Sequence, residues 1–197
     1  YTGTNGRNFK IATNNYYISN VRLVNDEGVE VPFTDQYLLA KTGESNELEL
    51  EGIAADNYTR IRFDVGVDSS TNHSDPSTYA VGSPLASQTP SMHWSWNSGY
   101  IFFKIEGLVD TSAAKTGTAD ADWNIHLGLD ANKVTVTLNI DKEVTGDSHP
   151  GINVNLNSAA LFNNIDLGGA DISSHTMNNM DLANRFKANI PAAFTAE

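Results

Sequence analysis

The sequence contains no cysteine. That removes disulfides, zinc ribbons, a blue-copper thiolate and iron–sulfur clusters, so any metal held by ordinary side chains falls to His, carboxylate or Met. Basic residues are scarce: 12 Lys and Arg stand against 24 Asp and Glu, a formal charge of −12. Such a surface repels phosphate backbones and anionic lipid, so nucleic acid is not an expected partner. The acidity serves solubility first and cation binding second. Long hydrophobic runs are also missing. The longest apolar cluster, Tyr100-Ile101-Phe102-Phe103, is strand-sized, and no membrane-spanning helix is expected. No Pro/Gly/Ser linker interrupts the 197 residues, which predicts a single domain over 1–197. The chain opens at Tyr1 with neither an initiating Met nor a basic and apolar leader. A signal peptide already removed would leave such a start, so export is permitted, with or without a lipid anchor ahead of Tyr1.

What is present reads as short strands. Asn8 to Thr13, Tyr17 to Val24, Leu48 to Glu51, Tyr58 to Val67, Lys133 to Ile140 and Ile152 to Leu156 alternate apolar with polar, and Asn25-Asp26-Glu27-Gly28 has hairpin-turn chemistry before Val29 to Val31. Gly99 to Gly107 and Trp123 to Gly128 add two more strands. Between Asp68 and Pro90 the alternation gives way to a polar loop rich in Ser, Thr, Asp and Pro, long enough to expect function in it. Only Met180 to Asn189 has helical spacing, with Leu182 and Phe186 on one face and Pro191 beyond. The expected fold is all-β, an antiparallel β-sandwich with long loops and a short C-terminal helix.

Catalytic signatures are absent. There is no Gly-x-Ser-x-Gly elbow and no His-Glu-x-x-His pair, and nothing singles out two working carboxylates among 24 acids. An enzyme is therefore not expected. The five histidines, His73, His93, His126, His149 and His175, are scattered, so a metal site has to be assembled by the fold. His73 lies beside Asp75 in the long loop, and His126 stands before Leu127-Gly128 at a strand end. His175-Thr176-Met177 and His93 are secondary metal candidates. Asp110, Asp120 and Asp122 in a polar loop offer Ca²⁺ a weaker opportunity, without an Asp-x-Asp-x-Asp-Gly pattern.

The densest chemistry is in Ser91 to Tyr100, SMHWSWNSGY, which carries two of the three tryptophans. Strand alternation would send Met92, Trp94 and Trp96 to one face and His93 and Ser95 to the other. Two buried indoles wedging a sandwich are one reading. An exposed aromatic platform for a glycan or for surface adhesion is another.

The order of these motifs resembles the MbnP-like family, named for a periplasmic copper-binding protein of a methanobactin operon. The resemblance begins at YYISNVRLVNDEGVEVP and runs through YTRIRFDVGVD. It is densest in NHSDPSTYAVGSPLASQTPSMHWSWNSGYIFFKIEG and in WNIHLG. It implies an exported copper-binding protein for copper acquisition or storage. One copper ion would be held by two histidine nitrogens and by a kynurenine made from tryptophan. A partner resembling a diheme cytochrome c peroxidase would carry out that oxidation, so this chain would be a substrate and not a catalyst. Carried over by motif, the ligands are His73 and His126, and the tryptophans to be modified are Trp94 or Trp96, with Trp123 a further candidate. Asn72, Asp75, Asn97 and Tyr100 would supply surrounding hydrogen bonds. Copper-binding members carry Gln after the second Trp and a basic residue after Gly-Tyr, where this chain has Asn97 and Ile101. The chemistry is coherent: an indole nitrogen is a donor only, whereas opening its pyrrole ring frees an aniline amine that can join two imidazoles around Cu(II).

Overall fold

The computed structural model describes residues 1–94, 99–146, 148 and 150–197. Among the described residues there are ten strands: β1 Phe9–Asn25, β2 Glu30–Ala40, β3 Asp56–Val65, β4 His93–Trp94, β5 Gly99–Val109, β6 Ala121–Gly128, β7 Val134–Val144, β8 Val154–Leu156, β9 Ser173–Ser174 and β10 Phe194–Ala196. A single helical turn, α1 Ser69–Asn72, interrupts the long loop, and one full helix, α2 Met180–Ala193, lies near the C-terminus. This is the expected all-β antiparallel sandwich with a short C-terminal helix.

The main sheet runs β7-β3-β1-β5-β6-β9, with β2 added on β1 and β4 on β5; β8 and β10 form a separate pair. Among the described strands, all pairings are antiparallel except β6 with β9. The long β1 joins the two halves: its first part pairs with β5, its second with β2 and β3. The sequence reads this stretch as two strands because Asn14-Asn15 breaks the alternation. The backbone carries on through them with irregularities between Ile11 and Thr13 and between Ser19 and Val21. Leu48 to Glu51 is not a strand. Leu48 and Leu50 still pack on the core, so their alternation reflects burial without a pairing edge.

Inward residues of both halves meet in one core: Phe63 and Val65 from β3, Phe103 and Ile105 from β5, Trp123, Ile125 and Leu127 from β6, Val134 and Val136 from β7. Helix α2 closes it with Leu182, Phe186 and Ile190, spaced at i, i+4 and i+8. Asn179 starts the helix by accepting the Leu182 N–H, and the helix runs through Pro191, past the expected end at Asn189, with Ile190 and Ala193 buried. A second apolar cluster gathers Tyr17, Leu39, Val67, Leu85, Met92, Trp94, Tyr100, Ile101 and Phe102, and so holds the long 68–92 loop against the sheet.

Arg185 anchors α2 to the preceding segment through two 2.7 Å bonds to buried Asp171, which hold that carboxyl below the usual range. Arg185→Met should cost about 2 kcal/mol, less than a fully buried pair because a third of Arg185 is exposed. The measurement is urea denaturation at pH 7, and the deficit should shrink as acid protonates Asp171.

Candidate functional site

Asn72, His73, Trp94, Tyr100 and Gly128 are linked where β5 begins, β6 ends and the long loop folds back. Asp68 caps α1 by accepting the Thr71 N–H, which fixes the next two side chains. Asn72 is buried; its Oδ1 accepts the Tyr100 N–H at 2.8 Å and its Nδ2 donates to Asp130 Oδ1 at 2.7 Å. His73 follows at the surface, its Nε2 3.2 Å from Asp130 Oδ2, which also accepts the Ser69 hydroxyl. These bonds, Ser69 first, hold the Asp130 carboxyl below its usual range. Among the described residues, Asp75 makes no hydrogen bond or ion pair with His73. It caps the short turn at Pro76–Thr78 through the Ser77 N–H.

Across the sheet, β4 pairs with the start of β5, His93 opposite Tyr100 and Trp94 opposite Gly99. Met92 and Trp94 are buried and His93 is half-buried, as alternation predicts. Trp96 and Asn97 lie outside the described residues, as does His149. The Trp94 indole lies against Gly128: a Cβ added there would sit 2.5 Å from Cζ3 of its benzo ring. His126 and Gly128, two apart on β6, share a strand face. Trp94 therefore lies on the His126 side of the strand. The Gly of His-Leu-Gly thus makes room for the first Trp of the Met-x-Trp-x-Trp motif.

His126 is buried, and its Nε2 sits 2.7 Å from Glu106 Oε1. The Lys104 ammonium is 3.5 Å from the same oxygen. The His175 ring stacks on His126 with centroids 4.5 Å apart. Thr176 clamps the end of β6, its hydroxyl donating to the His126 carbonyl and accepting the Gly128 N–H. Burial pulls the His126 imidazole from 6.5 to about 4, against the opposing effect of Glu106.

The other candidates lie elsewhere. Trp123 points to the opposite face of β6 from His126, edge-on to Phe9 and Phe162, and its buried Nε1 has no hydrogen-bond partner among the described residues. His93 faces a cavity of about 260 Å³ shared with Tyr17, Asp75, Gln88, Met92 and Tyr100, and its buried Nε2 has no hydrogen-bond partner among the described residues. The Tyr100 hydroxyl donates to the Leu85 carbonyl. Met177 is exposed. Asp110 is turned into its own loop, accepting from Ser112 and the Gly117 N–H, while Asp120 and Asp122 are exposed. Among the described residues, no three His, Asp or Glu side chains stand close enough to hold a metal between them. Glu106 and Asp130 were not picked out from the sequence, and Thr176 was noted only as part of the His175-Thr176-Met177 segment. The signal for Glu106 was there: Lys104 and Glu106 are the charged residues in an otherwise apolar strand. Asp130 and Thr176 are brought in by the fold alone.

His126 binds a proton less readily folded than unfolded, so stability should fall as pH drops from 6.5 to about 4, by on the order of 2 kcal/mol. Depressed carboxyls such as Asp64 and Asp171 add their losses only at lower pH. Urea melts at pH 7, 5.5 and 4 should show this slope in the metal-free protein and a flatter one in His126→Gln.

Among the described residues no helix is long and apolar enough to cross a membrane. A search of curated proteins finds no match to this chain. Among solved structures, MbnP from Methylosinus trichosporium aligns with a TM-score of 0.60 at 14% identity, covering 99% of this chain and 89% of that one, a likeness of fold. The family model of MbnP matches residues 1–181. On that match, which spans almost all of the described strands, the chain belongs to the MbnP family.

Proposed function

We propose that this chain is an exported copper-binding protein in which His73 and His126 supply two nitrogens and a kynurenine formed from tryptophan supplies a third, with Trp94 the residue converted. The observation that carries this reading is the packing of Trp94 on Gly128. It sets the benzo ring, which would bear the freed aniline amine, on the same strand face as His126. The contacts of Asn72 tie His73 and Asp130 to the neighbouring start of β5. Two imidazoles and an amine form the nitrogen-rich set that Cu(II) favours, and copper bound there would add to the stability of the fold. Burial favours the neutral, ligating form of His126, and the largely exposed His73 can reorient at little cost.

Indole oxidation needs an outside oxidant, which the diheme peroxidase-like partner would supply. The chain acts as that partner's substrate and as a copper carrier for acquisition or storage, in the periplasm or outside the cell. Trp94 and Trp123 are both buried, which removes them from any glycan-stacking platform.

The test is a peptide mass map of protein from its native host, covering Trp94, Trp96 and Trp123. One tryptophan carbon replaced by oxygen at Trp94 is expected. The change at Trp96 or Trp123 would move the ligand, and three intact tryptophans in copper-loaded protein would overturn the kynurenine.

A further inference from the structure

We propose that Glu106 is the positioning residue of His126: it takes the Nε2–H, and so makes Nδ1 the nitrogen offered to a metal. The metal half of this statement rests on the copper reading above; the half that concerns the ring does not.

A carboxylate only accepts hydrogen bonds, so the 2.7 Å contact requires the proton on Nε2. A neutral imidazole carries one N–H, and the lone pair is then on Nδ1. Among the described residues Nδ1 makes no hydrogen bond. The pairing is built into the sheet. Glu106 stands opposite Asn124, and His126 opposite Lys104, so the two partners are diagonal neighbours on adjacent strands. The Lys104 ammonium, 3.5 Å from the same Glu106 oxygen and itself close to the Ser91 carbonyl, keeps the carboxylate at this point. The stacked His175 ring fixes the plane of the imidazole. For Nε2 to ligate instead, its 2.7 Å bond to Glu106 would have to be given up. A carboxylate on the far nitrogen of a ligating histidine sets its tautomer and raises its basicity, and removing such a partner typically weakens metal binding about 10–100-fold.

The experiment is long-range ¹H–¹⁵N correlation of the imidazoles in metal-free protein at pH 7.5, paired with Cu(II) competition titrations. Wild-type His126 should show a protonated Nε2 and a pyridine-type Nδ1. Glu106→Ala should give mixed tautomers and about 10–100-fold weaker Cu(II) binding. Glu106→Gln, which keeps a carbonyl acceptor, should restore the tautomer and most of the affinity. A merely structural role would lower stability without moving the tautomer. Wild-type protein with the proton on Nδ1 overturns the proposal even if Glu106→Ala does not fold. So does Glu106→Ala with an unchanged tautomer and unchanged affinity. If wild type and His126→Ala bind Cu(II) alike, the copper reading fails, and the metal-free spectra alone decide the pairing of Glu106 with His126.

Discussion

His126→Ala should abolish tight Cu(II) binding, a loss of at least about 100-fold, and His73→Ala should do the same with less damage to the fold. A three-nitrogen site loses a third of its donors with either change, and Cu(II) discriminates strongly in favour of imidazole over water. The two positions differ in what else is lost. His73 is exposed, and its contact is with an Asp130 that keeps Ser69 and Asn72 as partners, so its removal is nearly neutral for stability. Removing His126 opens space in a buried site and deprives Glu106 of its 2.7 Å donor, at a cost of about 1–3 kcal/mol. Affinities are therefore to be compared by competition titration below the denaturation range of each variant, with circular dichroism as the check on folding. One copper per chain in wild type and none in either variant is the expected result; unchanged stoichiometry in both would sink the ligand assignment. Binding should also weaken as pH falls toward about 4, where His126 takes up the proton that competes with the metal.

Much of this architecture was legible because one physical signal, alternation, governs half-buried strands. Val134, Val136 and Leu138 alternate with exposed Thr135 and Thr137, and the structure pairs this strand with β3 as that pattern requires. The Asn25 turn was equally plain: Asn25 accepts the Gly28 N–H and the Val29 N–H, and Gly28 takes the left-handed backbone that favours glycine. The readings that differed did so where burial and pairing separate. Leu48 and Leu50 bury apolar surface from a loop, and Asn15 is a buried polar residue within β1, its Oδ1 accepting the Thr42 N–H. For the site, motif order identified which segments matter, but it carried no information on what holds them. Asp130, Glu106 and Thr176 reach the histidines from other strands and loops, through contacts between residues up to 57 positions apart in the chain. Trp123, three residues before His126 and thus near it in sequence, faces the core on the other side of the strand, and only the parity of the strand separates the two.

Gly128→Val tests the packing that brings Trp94 to the site, and it should be the most destabilising single change in this region. No left-handed backbone angle is involved, so the penalty comes from space alone. Even a Cβ would approach Trp94 Cζ3 to 2.5 Å and Cη2 to 2.7 Å, and the Tyr100 carbonyl oxygen to 2.7 Å. The indole can move only by disturbing Met92, Leu85 and Tyr100 in the same cluster, and the carbonyl belongs to the strand that pairs with β6. Overpacking a buried site typically costs about 1–3 kcal/mol, and two added methyl groups against backbone place valine at or above the top of that range. Gly151→Ala, where a Cβ meets nothing within 4 Å, is the control and should shift stability by no more than about 0.5 kcal/mol. Truncating the indole separates the two obstacles: Gly128→Ala in a Trp94→Leu background should cost less than Gly128→Ala alone, with the remainder due to the Tyr100 carbonyl. A double-mutant cycle with no coupling between 94 and 128 would remove Trp94 from that strand face, and with it the reason to choose Trp94 over the other tryptophans. Strong coupling, together with a displaced Trp94 in Gly128→Val, predicts a further effect in the native host. The misplaced indole should escape oxidation while His73 and His126 remain intact, so that the loss of kynurenine is read separately from the loss of the histidine ligands.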